Sequence, residues 1–93
     1  MPNEVFQNVW DALESDPVER ERLKLLSRLM MMARKHIKEQ GWTQVQAAEH
    51  LGVTQPRISD LMRGKINVFS VDSVLAMLSK AGLQLEVKLR DAA

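Results

Sequence analysis

The chain has 93 residues, of which 45% are hydrophobic, carries no cysteine, and has a formal net charge of +1 at pH 7. That length leaves room for one domain with one small core, and the lack of cysteine excludes both a disulfide framework and a thiolate metal site, so a cytoplasmic protein is expected. The opening MPNEVFQNVW has neither the basic start nor the apolar run of a secretory signal, and no apolar stretch is long enough to span a bilayer, which excludes a membrane protein.

Residues 1–15 are expected to be an acidic N-terminal arm or short helix, in which Val5, Phe6, Val9, Trp10 and Leu13 would supply the apolar anchors. The first long helix begins at Asp16-Pro17-Val18-Glu19, which has the form of a capping box: an aspartate to accept from early N–H groups, proline at the first helical position, glutamate three places on. Leu23, Leu26, Met30, Ala33 and Ile37 recur at helical steps, and Gly41 supplies the stop, so the helix is predicted over 17–40. Leu25, Leu29 and Met32 lie beside that stripe and widen it. Something further must pack there, either the N-terminal segment or a second chain.

Thr43 is expected to cap a second helix bearing Val45, Ala48 and Leu51, ended by Gly52. A third helix follows from the TQP turn, with Ile58, Leu61 and Met62 inward, and Arg63-Gly64-Lys65 closes it. Pro56 belongs in its first turn, where backbone N–H groups lack intrahelical partners and proline's fixed φ is already helical. Either Thr54 or Gln55 is the cap. Phe69 and Ser70 lead into a fourth helix bearing Val74, Leu75 and Leu78, stopped at Ala81-Gly82. From Leu83 the period changes to two, Leu83, Leu85, Val87 and Leu89 alternating with polar residues, which predicts a short strand. With no second strand in sight, it pairs with another chain or is frayed.

Charge is distributed unevenly along this order. Glu4, Asp11, Glu14, Asp16, Glu19 and Glu21 dominate the lead-in, and Arg34, Lys35, Lys38, Arg57, Arg63 and Lys65 the middle. His36 and His50 lack partners at metal-ligand spacing and are expected at the surface or in interhelical hydrogen bonds. No nucleophile–base set, carboxylate pair or glycine-rich phosphate loop appears, so neither an enzyme, a metal site nor a cofactor is expected.

Within residues 43–65 the spacing is that of two short helices crossing through a tight turn. Ala48 is small where the helices approach, Gly52 can take positive φ in the turn, and Ala47, Leu51, Val53, Ile58 and Leu61 fill the wedge. This stretch, TQVQAAEHLGVTQPRISDLMRGK, resembles the helix-turn-helix of the XRE family, shared with the lambdoid phage repressors. The acidic, aromatic-containing lead-in, the long helix and the Phe69-Ser70 approach to the last helix are similar to HigA-like antitoxins of toxin–antitoxin pairs.

The resemblance implies an all-α, lambda-repressor-like bundle of about five helices, to which the alternation after Leu83 adds a short C-terminal β-strand. Residues 16–82 would be the DNA-binding domain and residues 83–93 a tail available for dimerisation. It also implies a transcriptional repressor, an antitoxin acting on its own operon, that binds a double-stranded DNA operator as a homodimer. Two recognition helices would dock in successive major grooves about 34–36 Å apart. A cognate toxin is the possible protein partner, and the alternative is a toxin-neutralising module in which the helix-turn-helix is only scaffold.

The family reads base edges from the positions of Gln55, Pro56, Arg57, Ser59 and Asp60. Gln55 suits adenine, Arg57 guanine, and the Pro56 ring a thymine methyl. Asp60 either accepts from cytosine or repels phosphate and orients Arg57 or Arg63. Thr43 and Gln44 match the phosphate grip at the start of the second helix, Thr54 lies at the head of the third, and Arg63 and Lys65 reach phosphates beyond it.

Overall fold

The computed structural model describes residues 16–91, and among these the fold is entirely helical. Helix α1 spans Pro17–Gln40, α2 Gln44–Leu51, α3 Gln55–Met62 and α4 Val71–Lys80, with one 3-10 turn at Ile66–Val68 between α3 and α4. The fifth helix and the N-terminal arm expected within residues 1–15 lie outside the described residues.

Local chemistry sets each boundary. Asp16 caps α1, its Oδ1 accepting from the N–H groups of Val18 at 3.0 Å and Glu19 at 3.3 Å, and Pro17 occupies the first helical position. Glu19 turns away from the cap and takes Nε of Arg22 at 3.0 Å and its Nη2 as well. The Arg22 guanidinium thereby holds the Glu19 carboxyl below its ordinary pKa. Thr43 caps α2 in a reciprocal box: its Oγ1 accepts from Gln46 N–H at 3.2 Å while its own N–H donates to Gln46 Oε1 at 2.9 Å. Ser70 and Ser73 form the same device at the head of α4.

The core is one cluster that draws on every helix. Leu26, Leu29, Met30, Ala33 and Ile37 of α1 meet Ala47, Ala48 and Leu51 of α2, Ile58 and Leu61 of α3, Phe69, and Val74, Met77 and Leu78 of α4. A fully buried Leu, Ile or Val side chain contributes about 1.5–3 kcal/mol, so Leu26, Ile58, Leu61 and Val74 carry a large share of the stability of so small a domain. Between α2 and α3, Gly52 takes φ 71°, and the N–H of Val53 reaches back to the carbonyl of Ala48 at 3.0 Å. No buried side-chain nitrogen or oxygen among the described residues lacks a hydrogen-bond partner.

Of the apolar residues on α4, Leu75 is 41% exposed and Met77 lies in the core; α4 meets both α1 and α2, and the face that satisfies them runs through Val74, Met77 and Leu78. One expectation is corrected. The strand predicted from Leu83 does not form: residues 83–91 have no regular secondary structure. The N–H of Leu83 instead closes α4 by donating to Leu78 O at 3.0 Å. Alternation selects a strand only where a ladder partner exists, and the described residues contain no other strand to provide one. Val87 and Leu89 are accordingly left in solvent, 86% and 101% exposed.

Candidate nucleic-acid interface

The head of α3 stands clear of the bundle. Thr54, Gln55, Pro56 and Arg57 are all exposed, while Ile58 and Leu61 on the other side of the same two turns are fully buried. Thr54 is the cap, its Oγ1 3.4 Å from the N–H of Arg57, which resolves the choice between Thr54 and Gln55. Pro56 is the second helical residue, still inside the turn whose N–H groups have no intrahelical acceptors. The remaining free donors and the positive end of the helix dipole point into solvent, an arrangement that favours an anion.

Ser59 and Asp60, also expected to face the duplex, are half-buried. Asp60 engages neither arginine suggested for it: its Oδ1 lies 3.6 Å from Nζ of Lys65, and its carbonyl accepts from the N–H of Lys65 at 3.1 Å. Lys65 is therefore partly neutralised in the free protein. Arg63, at the C-cap, and Gln44, at the first position of α2, are exposed and make no side-chain hydrogen bond or ion pair among the described residues. Thr43 is committed to its cap through Oγ1 but remains exposed. Thr43 and Gln44 stand at the opposite end of α2 from the turn, about 12 Å away along eight helical residues.

Arg57 is the residue whose setting differs most from expectation. Rather than projecting freely, its Nη1 donates to the carbonyl of Val68 at 2.8 Å, and its guanidinium carbon sits over the Phe69 ring, 5.1 Å from the centroid. The 3-10 turn thus belongs to the site, and it brings Asn67, exposed and adjacent in the chain to Val68, into the neighbourhood. Sequence reasoning missed Val68 and Phe69 as partners because a backbone acceptor leaves no mark on residue type, and Phe69 reads simply as core.

Two other features escaped notice. Arg34 of α1 is half-buried and donates Nη1 to Leu61 O at 3.3 Å, satisfying a carbonyl in the last turn of α3. A Cβ on Gly64 would stand 3.2 Å from that guanidinium and press on it, and the φ of 72° itself favours glycine after α3. Trp42 sits between the two histidines. It stacks on His50 at 3.9 Å between centroids and takes His36 edge-on at 5.3 Å. The histidines are therefore packing partners of one indole, and no group of acidic, histidine or cysteine side chains able to hold a metal occurs among the described residues.

Two short helices joined by a glycine turn, with the second braced from behind and exposed at its head, define a helix-turn-helix. The family model described as a helix-turn-helix domain matches residues 13–90, most of the chain, and the protein belongs to that family. No curated protein matches it. Membership supports a DNA-binding regulator. No helix of the described residues is long and apolar enough to cross a membrane.

Proposed function

We propose that the chain is a sequence-specific DNA-binding transcriptional regulator of the XRE type that lays α3 in the major groove. The observation that carries this reading is the two-sidedness of α3: Ile58 and Leu61 are sealed in the core while Gln55, Pro56 and Arg57 lie open at its head. Gln55 and Arg57 carry the side-chain chemistry for base edges. Gln44, Arg63 and Lys65 supply contacts that position the protein on phosphates without reading sequence. It acts as a homodimer on a pseudo-palindromic site, represses its own operon and is the antitoxin of a pair, in the cytoplasm and without catalysis of its own.

The test is selection from duplexes with a randomised core, followed by salt titration of the selected duplex. Selection of a two-fold site and a steep fall of affinity with salt are expected, with selectivity lost in Arg57→Ala. A chain that ignores every duplex at low ionic strength ends the reading. Deleting residues 83–93 and measuring mass in solution tests the tail as the dimer contact, which an unchanged dimer excludes.

A second reading, a module that neutralises a protein toxin with the helix-turn-helix as scaffold, is favoured by the exposed apolar surface at Leu25, Met32, Val87 and Leu89. Pull-down of a co-expressed partner by Arg57→Ala separates the two. Partner capture with DNA binding lost places the functions on different surfaces.

A further inference from the structure

Arg57 is held at both ends. Its backbone N–H faces the Thr54 hydroxyl in the first turn of α3, and its guanidinium is fixed eleven residues downstream by the Val68 carbonyl and the Phe69 ring. A guanidinium carries five N–H donors in a planar fork, two on each Nη and one on Nε. The bond to Val68 uses an Nη1 donor. Nε and Nη2 make no hydrogen bond among the described residues, and together they form a parallel donor pair along one edge of the fork. Two parallel donors are what O6 and N7 of guanine accept.

The ring beneath the guanidinium is itself immobile. Phe69 is 7% exposed and part of the common core, and its N–H closes the 3-10 turn on Ile66 O at 3.3 Å. A long, flexible side chain thus rests on a rigid platform, with one corner tied and one edge open. Little rotamer entropy remains to be lost when that edge meets a base. The same edge could also take two phosphate oxygens, and only discrimination between bases separates that contact from a guanine contact.

We propose that Phe69 and the Val68 carbonyl preset Arg57 to read guanine through its Nε–Nη2 edge, so that Phe69, a core residue, is a positioning residue for sequence discrimination. This deepens the DNA-binding reading above and rests on it. The stacking contribution is electrostatic, the cation meeting the negative face of the ring. Weakening that face without changing the ring's shape should therefore loosen the reading and little else.

The full chain is prepared with phenylalanine analogues bearing one, three and five fluorines at position 69. Dissociation constants are measured for the duplex selected by the unmodified protein and for all its single-base variants. Discrimination at one G·C pair is expected to fall progressively, by roughly two- to fivefold across the series. The other positions, the salt slope on random duplex and the unfolding temperature should stay constant. Arg57→Ala, which removes the donors altogether, should abolish discrimination at that same pair.

Constant discrimination across the fluorine series overturns the role of Phe69, as does a uniform loss of affinity for all duplexes accompanied by a lower unfolding temperature. Unchanged discrimination in Arg57→Ala overturns the guanine contact. An unmodified chain that selects no sequence is a different failure, because it removes the DNA-binding reading itself.

Discussion

The pair between Asp60 and Lys65 yields a prediction whose sign separates two roles for the acid. At 3.6 Å the two charges attract by about 1 kcal/mol in a fully aqueous dielectric. Their side chains keep 31% and 46% of their exposure, and the cost of ordering both reduces the net value to roughly 0.2–1 kcal/mol. A phosphate that recruits Lys65 must displace Asp60, and Asp60 in turn repels that phosphate. Asp60→Ala should therefore tighten binding to duplex of random sequence by up to about fivefold at low salt, the equivalent of that energy. If Lys65 gains a full phosphate contact, the slope of log affinity against log salt should steepen by about 0.9. Fluorescence anisotropy with a labelled duplex, between about 50 and 200 mM salt, measures both. Weaker binding in the variant would refute this reasoning, and a loss of about 1–3 kcal/mol of discrimination at one C·G pair would make Asp60 a cytosine acceptor.

Three further predictions concern stability. Thr43→Ala should cost about 1 kcal/mol in denaturant melts, because it removes the 3.2 Å bond accepted by the hydroxyl and leaves only the backbone-donated 2.9 Å half of the box, whereas Thr54→Ala, losing a weaker 3.4 Å contact, should cost about half as much; equal costs would contradict the ranking. Gly52→Ala should destabilise by about 1–2 kcal/mol, or roughly 4–16 °C in unfolding temperature, since φ is 71° and the new Cβ would lie 3.0 Å from Lys80 Cγ. A neutral result would mean that the turn had rearranged. Glu19 has a depressed folded-state pKa, so its pair with Arg22 adds stability above the unfolded-state value, and that increment fades as pH falls through the lowered one. Titration of the Glu19 carboxyl by NMR should give a midpoint below the ordinary glutamate value that returns upward in Arg22→Gln; an unmoved midpoint would exclude the pair as the cause.

The helix boundaries were legible because each is written in adjacent residues. Asp16-Pro17, Thr43, Thr54-Gln55-Pro56 and Ser70 are caps or first-turn residues, and the glycines at 41, 52 and 64 each stop a helix within a residue or two. The buried set followed from period, since Leu26, Met30, Ala33 and Ile37 can share only one face of a helix. The alternation after Leu83 misled because period states what a segment would bury if it had a partner, and whether a partner strand exists is not a local property.

What the chain determined by itself was four helices, their caps, and a two-sided α3 with a polar head, all of it set by interactions spanning three or four residues. Only the tertiary structure decided where the long side chains end. Arg57 reaches Val68 and Phe69, Lys65 answers Asp60, Arg34 crosses to Leu61, and Trp42 settles between His36 and His50. A flexible charged or aromatic side chain has many local rotamers of similar energy, and the choice falls to whichever acceptor or ring the packed bundle brings within reach.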